Sequence, residues 1–306
     1  MQSRFSVLLY FAVAGAAVAH VGQGKVLEFA PEPQLFAPGL ASTEFSDARL
    51  TISPDGRTAL WFTRNRPGGA GGYDIWMMHR GAQGWREATP VSFNSSGRDF
   101  DPAFSSDGRF VYFCSDRPGG YGGDDIYRVA VNTDQFGEPV RLGPEVNSAG
   151  NEWAPMLSAD RSSLLFSSNG RGSVGGFDLF VALKDSESFA PATAVEGELN
   201  TTADEFDATF LSDNATVVFS RSADLKTQTV HLYYATPHAK TYPAGERLPL
   251  EVNSQDSDTY APMLDWSHPS RLTFSGQRRE AQVGGVDLYM IEYRLGPDLP
   301  GPDLNN

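Results

Sequence analysis

Acidic side chains recur along this chain at nearly constant spacing: Asp47, Asp99, Glu152, Glu205 and, close to the same register, Asp258. Arg66, Arg117, Arg171 and Arg278 follow them at similar distances, in or beside glycine-rich stretches. Two kinds of chemistry are open to a carboxylate repeated in this way. It can pair with an arginine or accept backbone amides and so hold the fold together, or it can line a polar, cation-binding mouth. Catalysis asks for a break in the repeat, because one unit must differ from its neighbours. Asp101 and Asp207 supply such a break, since the matching positions hold Arg49, Ala154 and Ala261. With Glu152 they form a trio suited to glycoside hydrolysis, which needs an acid and a base or nucleophile about 5–10 Å apart. Trp153, next to Glu152, offers a face on which a sugar could stack. The expected contact set is therefore Asp47, Asp99, Glu152, Trp153, Glu205, Asp258, Arg66 and Arg117, with Asp101, Glu152 and Asp207 as catalytic candidates.

Other chemistry has little to stand on. His20, His79, His231, His238 and His268 are scattered, without the paired spacing of a zinc site, and no metal or cofactor is expected. No G-x-S-x-G elbow occurs, and the lone Cys114 lies in an apolar strand with no histidine nearby in sequence, so it reads as a small buried side chain. The glycine pairs are not followed by a strand-to-helix junction, which argues against a phosphate loop. They read instead as tight turns whose glycines adopt positive φ. The aspartate after each loop (Asp74, Asp125, Asp178, Asp287) is expected to bond to that loop's own backbone.

These residues belong to a repeating unit. Ser53-Pro54-Asp55-Gly56-Arg57 matches Ser105-Ser106-Asp107-Gly108-Arg109, with looser copies at Asp160 and Asp213, so the turn steps by 52, 53 and 53 residues (55, 107, 160, 213). Asp74-Ile75-Trp76 recurs as Asp125-Ile126-Tyr127, Asp178-Leu179-Phe180, His231-Leu232-Tyr233 and Asp287-Leu288-Tyr289. A closing segment with an aromatic, a proline and a terminal asparagine ends at Asn94, Asn147, Asn200 and Asn253. A further copy, without the asparagine, lies at Phe29 to Leu40, and none follows the fifth unit. Two landmarks with one spacing establish a repeat. The reading is an all-β, single five-bladed propeller of four antiparallel strands per blade, its last blade completed by an N-terminal strand, since a toroid must cover its edges.

Ser-Pro-Asp-Gly-Arg at 53–57, Ser-Ser-Asp-Gly-Arg at 105–109 and Ser-Asp-Arg-Pro-Gly-Gly-Tyr-Gly-Gly-Asp-Asp-Ile-Tyr at 115–127 resemble the WD40-like repeat of TolB-type β-propellers. The resemblance implies an exported bacterial protein whose propeller is a binding platform.

Composition agrees. Lys and Arg total 24 against 38 acids, a formal charge of −14. That field repels a phosphate backbone, so nucleic acid is not an expected partner. Arg4, the apolar run Phe5 to Val18 and Ala17-Val18-Ala19 have the form of a signal peptide over 1–19, cleaved on export to the periplasm or beyond. No later run is long enough to anchor the mature chain in a bilayer. The propeller is placed at 25–295 and a Pro/Gly-rich tail at 296–306. The expected molecule is a monomeric, non-catalytic module that binds a protein or a cell-envelope glycan through its loop face. The alternatives are a glycoside hydrolase or a lectin-like propeller.

Overall fold

A computed structural model describes residues 25–132, 135–186, 188–278 and 283–298. The segment 1–19, expected to be a signal peptide, and most of the expected tail lie outside them. Among the described residues there is no helix, and so none that could cross a membrane.

The strands form five antiparallel sheets in chain order, and the innermost strands touch one another in a closed ring. These inner strands are Ser46–Ile52, Asp99–Phe104, Glu152–Leu157, Asp204–Phe210 and Thr259–Leu264. The ring makes each sheet a blade and leaves a central channel lined by the five inner strands. The second strands, such as Phe110–Ser115 (FVYFCS), lie between two others and between two blades. They are buried on both faces, which is why they read as continuous apolar runs without alternation.

Blade 5 consists of Thr259–Leu264, Arg271–Gly276 and Asp287–Asp298, and its outer edge is covered by Lys25–Phe29 and Gln34–Leu35 from the other end of the chain. Closure is therefore by an N-terminal strand, with Lys25 opposite Asp298 and Phe29 opposite Tyr293. The third strand of this blade runs past Tyr293 to Asp298, because it has a partner along that whole length.

The closing asparagines act as pins. Asn147 accepts from Ile126 N and donates to Ile126 O, and Asn94, Asn200 and Asn253 do the same to Ile75, Leu179 and Leu232. In blade 5, Ser42 Oγ takes over this double bond at Leu288. The glycine loops knit neighbouring blades together. A Cβ on Gly71, Gly122, Gly175 or Gly284 would collide with the backbone of the next blade's lead-in turn at Gly97, Gly150, Ala203 or Thr43. Positive φ falls on the first glycine after the loop arginine, at Gly68, Gly119 and Gly172 (φ 96°, 92° and 75°). The positive-φ reading of the glycine pairs therefore holds at Gly68 and Gly119 and not at their other glycines. Gly172 lies outside those pairs, and close approach explains Gly71, Gly122, Gly175 and Gly284. Asp74, Asp125, Asp178 and Asp287 each accept amides of their own loop, so among the described residues those amides are not open to an anion.

Candidate functional site

The acid ring is built into the wall. Asp47, Asp99, Glu152 and Glu205 all have no exposed surface. Each accepts the backbone N–H and the side-chain hydroxyl of the residue four positions earlier: Thr43, Ser95, Ser148 and Thr201 respectively. The carboxylates thus tie down the turn that leads into each inner strand. Asp99 also pairs with Arg117 at 2.6 Å and Glu205 with Arg221 at 2.6 Å. In blade 5 the ring position is Thr259, whose Oγ1 accepts Ser254 N, one residue after the expected Asp258. Asp258 instead accepts Val230 N, clasping blade 4 to blade 5. Arg66 stacks on Trp76 and donates to Leu40 O, while Arg117 donates to Phe93 O. The arginine fringe therefore also secures closing segments, and Arg221 belongs to it.

Immediately after the ring position, four blades carry an aromatic: Phe100, Trp153, Phe206 and Tyr260. Blade 1 has Ala48 there, and Tyr73 fills the gap, stacked on Phe62 and edge-on to Phe100. The next residue lies in the left-handed region in every blade: Arg49, Asp101, Ala154, Asp207 and Ala261 have φ of 56°, 53°, 55°, 49° and 54°. A β-bulge at this point shifts the register of each inner strand. Strict alternation would put Asp99 and Asp101 on one side and Phe100 on the other. The bulge breaks that alternation, so Phe100 and Asp101 face the channel mouth together while Asp99 turns into the wall.

The result is a cavity of about 150 Å³. Its walls are Phe62, Tyr73, Phe100, Trp153, Phe206 and Tyr260; Asp101 and Asp207 lie in it, and Arg64 and Arg98 stand at its rim. Arg98 is held by Asp116 and Asp124, and Asp124 also accepts Trp153 Nε1 at 2.8 Å. Arg64 stacks on Tyr73. Arg49 is fully buried, with Nη1 at 4.0 Å from Asp207 Oδ1, and its guanidinium makes no hydrogen bond among the described residues. The far end of the channel is crossed by Trp266, which donates from blade 5 to Phe104 O of the non-adjacent blade 2.

Of the catalytic trio, Asp101 and Asp207 meet at this cavity, whereas Glu152 does not. Its oxygens are taken by Ser148 and Ser168 within the ring. Trp153 lines the cavity, its ring stacked on Phe177 at 4.0 Å between centroids. Sequence reasoning missed Arg64, Tyr73, Arg98, Asp124, Phe206 and Tyr260. The aromatic that follows the ring residue in four blades was the signal available for Phe206 and Tyr260.

Burial pushes the Asp101 carboxyl well above the usual range, and Asp207 adds to the rise against the pull of Arg49. Burial also raises Asp207, opposed by Arg49 and by the Ala261 amide. A raised native pKa means that the folded state keeps its proton where the unfolded state has lost it. Stability from these groups is therefore full below the ordinary aspartate range and declines as pH rises above about 4. Burial raises Asp47 and Glu152 in the same direction. Asp101→Asn should flatten the decline, read as the change in thermal midpoint between pH 5 and pH 8. A decline as steep as in the parent protein would show that Asp101 does not carry it.

No family model matches the chain, and no curated protein matches it. Among solved structures, TolB from Acinetobacter baumannii is 13% identical with a TM-score of 0.49, over 81% of this chain and 54% of that one. The chain thus spans about half of that TolB. Putative TolB from Agrobacterium tumefaciens is 16% identical with a TM-score of 0.48, over 83% and 92% of the two chains. A protein of unknown function from Dyadobacter fermentans is 11% identical with a TM-score of 0.51, over 88% and 99%. At such identities the likeness is one of fold: this chain is a five-bladed β-propeller, and TolB-type propellers are among its structural neighbours.

Proposed function

We propose that the protein is an exported, non-catalytic binding propeller that engages a protein partner or a cell-envelope glycan through the face carrying the glycine-rich loops, acting as a monomer. The observation that carries this reading is the aromatic mouth, where the inner strands converge and the blades stop being alike. Partly exposed Trp153, Tyr73 and Tyr260 supply contact surface of the kind that dominates binding hot spots. Acids within the wall serve the scaffold, and the contact falls to the residues one and two positions further on. Trp153→Ala with Tyr260→Ala should lower affinity for an envelope partner by about 2 kcal/mol or more, roughly 30-fold. Capture from envelope extract by the variant, alongside the parent, measures this. Retained capture by a folded double variant would remove the mouth from the interface.

A second reading, glycoside hydrolysis, is favoured by one observation. Asp101 and Asp207 share the cavity, and both have raised proton affinity, as a general acid requires. It predicts release of an aryl leaving group from a glycoside, abolished by Asp101→Asn or Asp207→Asn.

A further inference from the structure

Asp101 is 5% exposed and lines the mouth cavity, yet no side-chain donor and no ion pair reaches it among the described residues. Its charged form is favoured by Arg49 without direct contact and, less, by the Ala154 amide. Asp207, 6% exposed, lines the same cavity and receives the Ala261 amide. Arg49 stands beside Asp207 at 4.0 Å, close enough to balance one negative charge but too far to hydrogen-bond. Two buried carboxylates and one buried cation leave one charge open, and an enclosed carboxylate without a partner is costly. Around this open charge the walls are aromatic rings, whose faces attract a cation electrostatically. Arg64, stacked on Tyr73 at 4.9 Å, lines the cavity without a carboxylate of its own in hydrogen-bond reach among the described residues, unlike Arg98.

We propose that the mouth is a receptor for an alkylammonium group presented by a protein partner, its apolar stem passing the aromatic walls and its charge seated between Asp101 and Asp207. The cavity of about 150 Å³ has room for the end of an unbranched chain and its ammonium head. Hydrogen-bond acceptors are present on two sides, as the three donors of an ammonium require. In the empty site a proton on Asp101 meets the open charge, held there by burial and by Asp207. An incoming ammonium replaces that proton, so binding releases a proton and weakens as pH falls. The groups facing Asp101 and Asp207 are each other, Arg49, Asp124, Cys114, Arg64, Arg98 and Tyr260. Arg49 and Arg64 oppose the cation and Asp124 favours it.

This inference rests on the reading of the mouth as the contact of the binding face. Isothermal titration at fixed ionic strength tests it with Nα-acetyl-lysine N-methylamide, glycine N-methylamide and glucosamine as probes. Saturable binding of the lysine probe or of the α-amine is expected, and the stronger of the two tells a side chain from a chain terminus. Proton release should be visible as a dependence of the apparent enthalpy on buffer. Asp101→Asn should weaken binding at least 10-fold. Arg64→Glu, an exposed change that spares the fold, should tighten it several-fold. Binding of glucosamine alone, binding of Ca²⁺ alone, an affinity unchanged in both variants, or no binding of either amine would overturn the proposal. If the amines fail while Trp153→Ala with Tyr260→Ala still abolishes envelope capture, the binding-face reading stands and only this inference falls. If the amines bind while that double variant leaves capture untouched, the ammonium site stands and the binding-face reading falls.

Discussion

Replacing Asp99, Glu152 and Glu205 together with alanine is expected to unfold the propeller. Each carboxylate is wholly buried, and together they accept the amides and hydroxyls of Ser95, Ser148 and Thr201. Removing one leaves a half-buried N–H and hydroxyl without their acceptor and frees the lead-in turn of its blade. At Asp99 and Glu205 it also strands Arg117 and Arg221, both largely enclosed. Breaking a buried pair by deleting one partner costs about 3–5 kcal/mol. Domains have only about 5–15 kcal/mol in hand, so two such losses, added to the hydrogen bonds lost at Glu152, consume most or all of the reserve. A single change such as Glu205→Ala should survive, with its thermal midpoint lowered on the order of 10 °C. Circular dichroism against temperature reads both outcomes. A triple variant that melts within a few degrees of the parent would show that the ring does not hold the blades, and would return these acids to the contact surface.

Much of this architecture is legible in the sequence because it is repeated. The Asp-Gly turn, the third-strand landmark and the closing asparagine each occur at one spacing, and the structure gives each a single backbone duty, as Asn147 shows at Ile126. Even the missing strand can be read, since Phe29 to Leu40 has no unit of its own and blade 5 has no outer strand. The site is harder to read for a physical reason. Period-two alternation assigns faces along a regular strand, and every inner strand carries a bulge with one residue near φ +50°. No glycine marks it, because the five residues there are Arg49, Asp101, Ala154, Asp207 and Ala261, so nothing local announces the change of face. Asp101 and Asp207 stand out as departures from the repeat, and they do face the mouth. Alternation groups Glu152 with them, yet it bonds into the wall. Arg64, Tyr73 and Arg98 come from other strands, and only the closing of the ring brings them to the mouth.

Deleting the N-terminal strand tests the other large stabilising feature, the closure. Lys25–Phe29 covers the outer edge of the final strand, and Leu27, Phe29 and Leu35 pack against the larger hydrophobic cluster. Phe36 is buried beside Trp85 at 5.6 Å, and Ser42 pins Leu288. A chain starting at Thr43 loses all of these contacts and exposes the strand Asp287–Asp298 as a long unpaired edge. Such edges recruit other chains, so the truncated protein is expected to be insoluble or to form strand-exchanged oligomers, seen by size-exclusion chromatography. A circular permutant separates loss of the strand from loss of chain order. Lys25 lies opposite Asp298 in register, so a two-residue Asn-Gly turn can join them. New termini fit at Ala82-Gln83, an exposed hairpin tip in blade 1. This permutant keeps every edge covered and should remain monomeric, with a thermal midpoint close to that of the parent. If the permutant aggregates as the truncation does, the N-terminal strand contributes something other than edge closure. A soluble, cooperatively melting truncation would show that four blades and an open fifth suffice.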